Sequence, residues 1–153
     1  MASQRTIIIG SDHAGYEMKE HLKAFISTQL RIVVKDAGSF ANERVDYPNV
    51  AEFVGKSVAK GEFEHGILVC GTGIGMSIAA NKVGGIRCAL CHNVMTAKMA
   101  KKHNNANVLA IGGWTTDKVV ATKIVSAWLN ATFAQDRHAV RVGMIAALEK
   151  NTS

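Results

Sequence analysis

The chain has 153 residues, of which 48% are hydrophobic and only one is proline, and its formal net charge is +6. A chain of this length normally folds as one domain with a sizeable buried core, so we expect a single domain over residues 1–153. No apolar run reaches the roughly 20 residues that a membrane-spanning helix requires, and residues 1–4 are too few and too polar for a signal peptide. We therefore expect a cytoplasmic protein that does not bind membranes.

The distribution of charges and the number of cysteines exclude further classes of protein. The 18 lysines and arginines are scattered along the chain and aromatic residues make up only 6%, which argues against a nucleic-acid-binding surface. A moderate positive charge instead suits a small anionic substrate. The three cysteines, an odd number without a secretory signal, indicate reduced thiols rather than a disulfide framework.

Five short, β-branched and nearly continuous apolar segments alternate with segments of helical periodicity. Such segments are typical of strands buried on both faces of a parallel sheet, and the alternation indicates right-handed βαβ units. We therefore predict an α/β fold: a doubly wound, Rossmann-like parallel sheet of about five strands, with helices on both faces and an extra C-terminal helix. The predicted strands are residues 6–9, 31–34, 67–70, 86–90 and 107–111, and the predicted helices are residues 17–29, 50–59, 75–82, 94–103, 118–130 and 137–150.

The two helices nearest the C-terminus carry further expectations. Thr115, Thr116 and Asp117 precede the helix predicted at 118–130 and are candidate N-caps. The helix predicted at 137–150 has no strand after it, so it is free to pack against another subunit.

A glycine-rich loop, residues 70–75, follows the third predicted strand and leads into a predicted helix. The backbone N–H groups of such a loop converge on one point, where proteins bind phosphates and oxyanions. Cys70 and Thr72 add a thiol and a hydroxyl, so the loop predicts proton transfer beside a stabilised negative oxygen. Asp12 and His13 follow the first predicted strand and should lie at the same sheet edge, outside the carboxyl ends of the strands, where ligands bind.

Two other motifs in the chain resemble cofactor sites. The glycines of the loop resemble a dinucleotide fingerprint, but one residue instead of two separates the second glycine from the third. Cys88-Ala-Leu-Cys91-His92 matches both the haem c attachment string and half of a zinc site. Residues three apart on a strand point to opposite faces, so the two sulfurs should diverge, and we predict neither a metal nor a haem site.

Basic residues near the C-terminus suggest anion binding. Arg137 and Arg141 lie four residues apart on a predicted helix, so their guanidinium groups form a fork that suits a phosphate. A solvated surface stripe would have the same spacing. His103 ends a predicted helix, where a histidine often only complements the helix dipole, and a structural role for His13 beside Asp12 fits its position equally well.

Taken together, the motifs resemble type B ribose-5-phosphate isomerase, which belongs to a sugar-phosphate isomerase family that also includes allose-6-phosphate and galactose-6-phosphate isomerases. The resemblance runs over nearly the whole chain in the right order, and the block at residues 70–82 is its most specific part. The remaining segments that carry it are Ser11-Asp12-His13-Ala14-Gly15, Asp46-Tyr47-Pro48, Gly85-Ile86-Arg87, His103-Asn104, residues 106–109, and Arg137-His138 with Arg141.

The resemblance implies an aldose–ketose isomerase of the pentose phosphate pathway. Such an enzyme interconverts ribose 5-phosphate and ribulose 5-phosphate through an enediolate, without a metal or an organic cofactor. The resemblance makes Cys70 the base that moves the proton between C2 and C1, while Asp12 helps to move the hydroxyl proton and His103 opens the furanose ring. Thr72 would hold Cys70 or a substrate oxygen in place. The same resemblance assigns substrate binding to Asp12, His13, Tyr47, Gly71, Thr72, Gly73, Ile74, Gly75, Asn104, Arg137, His138 and Arg141.

The chain departs from part of the family pattern. Some members use a glutamate of the glycine loop as the base, whereas Met76 and its neighbours carry no carboxylate, so this chain resembles the cysteine-dependent members. Trp114 follows the fifth predicted strand, where many members have an arginine that reaches the phosphate. Because an indole forms no ion pair with phosphate, we expect either weaker phosphate binding or a reshaped pocket.

Two alternative functions remain open at this point. One is an isomerase of six-carbon sugar phosphates, such as allose 6-phosphate or galactose 6-phosphate. The other is a non-catalytic sensor of a nucleotide or a sugar phosphate. The combination of Cys70, Thr72 and His103 favours an enzyme, because a binding module needs no acid–base groups.

The length of the fourth predicted helix separates His103 from Cys70 within one chain. The helix at residues 94–103 runs from the carboxyl edge of the sheet back to the amino edge, which places His103 about 15 Å along the axis at 1.5 Å per residue. We therefore expect a homodimer, or a tetramer built from it, in which two subunits share each active site.

Overall fold

The computed structural model describes residues 5–41 and 43–151, and this part of the chain forms a five-stranded parallel sheet and six helices. The strand order is β2-β1-β3-β5-β4. The elements in chain order are β1 (Thr6–Ser11), α1 (Tyr16–Thr28), β2 (Val33–Asp36), α2 (Tyr47–Ala59), β3 (His65–Cys70), α3 (Ile74–Ala80), β4 (Cys88–Leu90), α4 (Val94–Asn104), β5 (Val108–Gly112), α5 (Lys118–Asn130) and α6 (Arg137–Glu149). The predicted α/β fold is confirmed. No helix in the described ranges is both long enough and apolar enough to cross a membrane.

Side chains that alternate along the central strands divide the core into two layers. Ile7 and Ile9 pack on one side of the sheet, together with residues of α1, α4 and α5. Ile8 packs on the other side, together with residues of α2 and α3. Because a strand directs successive side chains to opposite faces, the continuous apolar sequence of β1 serves both layers at once. Helices on both faces hold the sheet between them.

The two edge strands differ from the sequence expectation. Strand β2 is only half buried and begins two residues later than predicted, because Arg31 adopts a φ of 54° and the chain turns there. Strand β4 has only three residues, all partly exposed. Burial on both faces was therefore the wrong prediction for β2, one face of which is exposed, whereas the partly exposed side chains of β4 pack in both core layers.

The strand order places a topological switch point between β1 and β3. The chain leaves β1 for β2 on one side, and then crosses back to form β3 on the other side of β1. In register, Ser11 of β1 lies opposite Val69 of β3, so the two strands end side by side. Ligands of doubly wound sheets bind in the crevice at such a point. Asp12 and Cys70 both lie at it.

Helix α6 is the least buried element of the fold. Of its residues only His138 is buried, and its first turn packs against the end of α4. Near its other end, Glu149 accepts hydrogen bonds from the Gly85 N–H at 2.9 and 3.1 Å. Several of its apolar side chains are exposed, namely Val140, Met144, Ile145 and Leu148.

Candidate active site

Cys70 ends the central strand β3 at the switch point. Its side chain is buried, with 5% of the residue exposed, and it packs in the layer formed by α2 and α3. The Gly73 N–H donates to the Cys70 Sγ over 3.1 Å. Gly73 adopts a φ of 78°, which a residue with a side chain rarely adopts, and α3 begins directly after it. The loop thus wraps its own backbone around the thiol, so that a backbone N–H points at the sulfur.

Thr72 lies in the same loop and is partly buried. Its Oγ1 accepts a hydrogen bond from the Ile74 N–H over 3.3 Å. This bond uses one acceptor site of the hydroxyl and leaves its O–H as a donor. Thr72 therefore stiffens the turn while it keeps a proton that a substrate oxygen can accept.

Asp12 extends the site from the end of β1. Only 6% of the residue is exposed, and its backbone N–H donates to the Val69 carbonyl over 3.3 Å. Its Oδ1 accepts from the Gly15 N–H over 3.0 Å, which fixes the turn into α1. The neighbouring His13 is exposed, and its Nδ1 lies 3.4 Å from the Val45 N–H. This contact assigns Nδ1 as an acceptor and leaves Nε2 as a donor.

Two aromatic rings border the glycine loop. The Tyr47 ring, at the start of α2, lies over Gly75. The Trp114 ring lies against Gly71, and a Cβ at Gly71 would come within 2.6 Å of it, so only glycine permits this contact. The Trp114 N–H also donates to the Gly71 carbonyl over 2.9 Å, while 74% of the residue is exposed. Trp114 is thus fixed at its backbone and presents its ring to solvent beside the loop.

A cavity adjoins this end of the sheet. It has a volume of about 430 Å³, and His13, Trp114 and Lys118 line it together with Glu17. Its lining thus contains one basic and one acidic side chain, Lys118 and Glu17. The cavity therefore adjoins the candidate site at His13 and Trp114.

The remaining predicted site residues gather at the opposite, amino edge of the sheet. His103 lies in the last turn of α4, and its ring stacks on His138 of α6 with 4.1 Å between centroids and 8° between planes. The Asn104 carbonyl accepts from the Arg87 Nε–H over 3.1 Å. Because α4 starts at the carboxyl edge and ends where β5 begins, this cluster and Cys70 lie at opposite ends of the strands.

Cations surround the stacked histidines. Arg137 and Arg141 are exposed on the first two turns of α6, one helical turn apart. Burial lowers the pKa of His138, and the positive charges of His103, Arg137, Arg141 and Lys102 lower it further. The His138 ring therefore supports the His103 ring from one side, while the two arginine side chains extend into solvent beside this stack. Asn104 also lines a separate groove of about 760 Å³ at this edge.

The candidate residues thus form two separate groups in the chain. The carboxyl-edge group contains the loop at residues 70–75 with Asp12, His13 and Tyr47. The amino-edge group contains His103, Asn104 and His138 with the two arginines of α6, Arg137 and Arg141. The structure brings the members of each group together, but the two groups lie at opposite edges of the sheet within the chain.

Comparison with known proteins agrees with the fold and the loop. The family model described as Ribose/Galactose Isomerase matches residues 7–145. The chain belongs to this family. It is 42% identical over 146 residues to ribose-5-phosphate isomerase B of Escherichia coli strain K12, an alignment that covers 95% of this chain and 97% of that protein. The resemblance to type B ribose-5-phosphate isomerase is therefore confirmed, and family membership supports aldose–ketose isomerase activity.

Further relatives show the range of the ribose/galactose isomerase family. The structure of Clostridium thermocellum ribose-5-phosphate isomerase B superposes with a TM-score of 0.95 and 47% identity, and the match covers 97% of this chain and 99% of that one. The D-erythrulose-4-phosphate isomerase of Pectobacterium atrosepticum is 38% identical over 144 residues, covering 94% of this chain and 95% of that protein. The fold therefore serves sugar phosphates of different lengths.

The two cysteines outside the loop lie at the start of β4 and directly after it. Cys88 packs in the layer of α2 and α3, whereas Cys91 packs in the layer of α1, α4 and α5, so the two thiols diverge as predicted. Burial raises the pKa of Cys88 to about 12 and also raises the pKa of Cys91. In the described residues, no group of three or more His, Cys, Asp or Glu side chains is placed to hold a metal ion.

Lys101, His65 and Trp128 form a buried cluster that was not predicted from the sequence. Lys101 is 7% exposed, and its Nζ lies 2.6 Å from the His65 Nε2. A usable signal was present, since Lys101 shares helical spacing with the buried Ala97 and Ala100 and so falls on the inner face of α4. No role had been assigned to His65.

Proposed function

We propose that this chain interconverts ribose 5-phosphate and ribulose 5-phosphate through an enediolate. The observation that carries the proposal is Cys70, a buried thiol at the topological switch point that accepts the Gly73 N–H within a glycine loop. An aldose–ketose shift needs one base that moves a proton between adjacent carbons and donors that stabilise the developing oxyanion. The loop supplies both within a few ångströms of one sulfur.

The residues of the candidate site can carry out every proton transfer of the proposed reaction without an external acid or base. Cys70, as a thiolate, removes the proton from C2, and the C1 carbonyl oxygen becomes the enediolate oxygen. Amides of the glycine loop and the Thr72 hydroxyl donate to that oxygen. Asp12 then moves the O2 proton toward O1, while the Cys70 thiol returns its proton to C1 and the C2 carbonyl forms. No metal or organic cofactor enters these steps.

The amino-edge group would complete the site from a second subunit. We assign ring opening to His103 and hydrogen bonds with the sugar oxygens to Asn104. Arg137 and Arg141, together with His13 of the first subunit, would hold the phosphate. The exposed apolar face of α6, with Ile74 and Ile78 on α3, is the surface that we propose to pair two copies of the chain.

Subunit mixing tests the shared site. An equal mixture of Cys70→Ala and His103→Ala chains, unfolded and refolded together, should regain about a quarter of the parental activity, because half of the dimers are mixed and each has one intact site. Mass spectrometry confirms that subunits exchanged. Activity no higher than that of the separate variants, despite exchange, would place both residues in a site within one chain.

Substrate choice is tested directly with sugar phosphates. Initial rates with ribose 5-phosphate and allose 6-phosphate are compared in the presence of a metal chelator. We expect the higher kcat/KM with ribose 5-phosphate. A higher value with allose 6-phosphate would favour a six-carbon substrate, and binding of either sugar without turnover would favour a sensor.

A further inference from the structure

Lys101 lies on the opposite side of the last turn of α4 from His103. The two residues are two positions apart, and at about 100° per residue their side chains leave the helix roughly 200° apart. Lys101 is 7% exposed and points into the core, while His103 is partly exposed and stacks on His138. The turn that presents His103 outward is therefore held from inside by Lys101.

The contacts of Lys101 join three elements of the fold. Its Nζ lies 2.6 Å from the Nε2 of His65, the first residue of β3, and 4.7 Å from the ring centroid of Trp128 in α5. The His65 and Trp128 rings meet edge to face at 5.0 Å. The Trp128 Nε1–H donates to the Ala106 carbonyl over 3.2 Å, just beyond the end of α4. These contacts fix the position of the last turn against the sheet.

The charges around this cluster make Lys101 costly to bury. Burial lowers the pKa of Lys101 to about 8; Glu64 opposes the shift, and Arg5 and Arg87 add to it. Burial, together with Lys101 and Arg5, lowers the pKa of His65 to about 3, so near neutral pH an ammonium group donates to a neutral imidazole. Glu64 Oε1 lies 3.7 Å from the His65 Nδ1.

The lowered pKa of Lys101 makes the stability of the folded chain depend on pH. Because the pKa of Lys101 is lower in the folded chain, the unfolded chain binds more protons between pH 8 and the ordinary value of 10.5. The contribution of Lys101 to stability therefore rises with pH over that window and is least favourable below it. An apolar side chain of similar size avoids this desolvation cost. Stability alone gives no reason for a charge at this position.

We propose that Lys101 and His65 are positioning residues that set the direction in which the last turn of α4 presents His103 and Asn104. The proposal rests on the function proposed above, in which those two side chains enter the active site of a second subunit. Lys101 touches neither substrate nor reacting atoms, and acts by giving the turn one orientation.

The first test compares Lys101→Met with Lys98→Met, an exposed lysine one turn earlier on the same helix. We expect Lys101→Met to keep or raise the melting temperature but to lower kcat for ribose 5-phosphate at least fivefold. The reverse turnover of ribulose 5-phosphate, measured as the initial release of open-chain aldose, should fall less because that sugar has no furanose phosphate ring. Lys98→Met should match the parent in all three measurements.

Lys101→Met alone leaves the buried His65 ring without its hydrogen-bond partner, so a double variant controls for that effect. Lys101→Met combined with His65→Leu replaces the polar pair by two apolar side chains, and it should fold while showing the same loss of kcat. A parental kcat in either folded variant would overturn the proposal. A lowered melting temperature with equal losses in both directions would also overturn it, because that result describes a merely structural contact.

A second measurement does not depend on turnover. The ring resonances of His103 and His138, followed by NMR, should shift in Lys101→Met and stay in place in Lys98→Met. Unchanged ring resonances in Lys101→Met would overturn the positioning role whatever the assays show. If the rings shift but the parent isomerises neither sugar phosphate, the proposed function fails, and the orienting role fails with it as a contribution to catalysis.

Discussion

The candidate residues at the two edges of the sheet are held by different kinds of contact. At the carboxyl edge, backbone N–H groups hold the side chains: Gly73 donates to Cys70, and Gly15 donates to Asp12. Short loops place both pairs. At the amino edge, long side chains on helices α4 and α6 make the contacts, through the stacked rings of His103 and His138. The first arrangement gives rigid donors around a thiol, and the second gives charged groups that face solvent.

This difference indicates a division of labour. Backbone donors are already ordered when charge develops, which is what stabilisation of an enediolate requires. Exposed guanidinium groups, in contrast, lose side-chain entropy when they bind, and they gain their full strength only when a partner excludes water. In the shared site that we propose, the carboxyl edge supplies the ordered donors and the amino edge supplies the cations, which bind the phosphate strongly only once a second subunit covers them.

The largest effect should come from the carboxyl edge. Cys70→Ala removes the proposed carbon base, so kcat should fall by about 10²- to 10⁴-fold, while the sugar phosphate still binds. Steady-state kinetics with ribose 5-phosphate measure the loss, and equilibrium titration measures binding. Cys88→Ala is the matched control, since the Cys88 thiol stays protonated with a pKa of about 12. A near-parental rate for Cys70→Ala would remove Cys70 from the mechanism.

A smaller effect is expected from the arginines of α6. Arg137→Ala or Arg141→Ala should weaken ribose 5-phosphate binding by about 2 kcal/mol, roughly thirtyfold in KM, because each removes one partner of a desolvated charge pair. Free ribose, which has no phosphate, is the control substrate. If both sugars suffer equally, the arginines support folding instead, and the amino edge loses its proposed role in phosphate binding.

Much of the carboxyl edge follows from the sequence because its geometry is local. The apolar run before Cys70 and the glycines after it determine a strand, a turn and a helix, which is how the loop was predicted. The N-cap of α5 followed the same logic: Asp117 accepts from the Val119 and Val120 N–H groups, and it was one of three candidates. Short-range chemistry leaves few alternatives in such segments.

The contacts at the amino edge were harder to predict from the sequence, because they join residues that lie far apart in the chain. His65 and Lys101 are 36 residues apart, and nothing in either segment alone predicts that they meet. The stack of His103 on His138 likewise depends on how α6 returns to α4 after β5. The edge position of β2 was equally hard to predict, because the strand order is a long-range property that the residues of β2 alone do not determine.

A third prediction separates ring opening from carbon chemistry. His103→Ala should slow the turnover of ribose 5-phosphate by up to about 10²-fold, the lower end for a lost acid–base group, because open-chain sugar also forms without the enzyme. Turnover of ribulose 5-phosphate should fall less. Initial rates in both directions, with the product removed, provide the comparison, and His92→Ala, an exposed histidine without an assigned role, is the control. Identical losses in the two directions would contradict the assignment.

The smallest expected effect concerns Trp114, which borders the carboxyl edge at the position where the family resemblance led us to expect an arginine. Trp114→Arg adds a guanidinium group beside His13 in a largely exposed position, so the gain in phosphate binding should be at most about 1 kcal/mol, or roughly fivefold in KM. Trp114→Arg both removes the indole and adds a charge. Trp114→Leu removes the indole without adding a charge, so it separates these two effects. The ratio of kcat/KM for ribose 5-phosphate to that for free ribose should rise in Trp114→Arg and stay near the parental value in Trp114→Leu. If the ratio rises equally in both variants, the indole restricts the phosphate by its size; if it rises in neither, the phosphate lies away from Trp114, and the cations of the amino edge account for its binding.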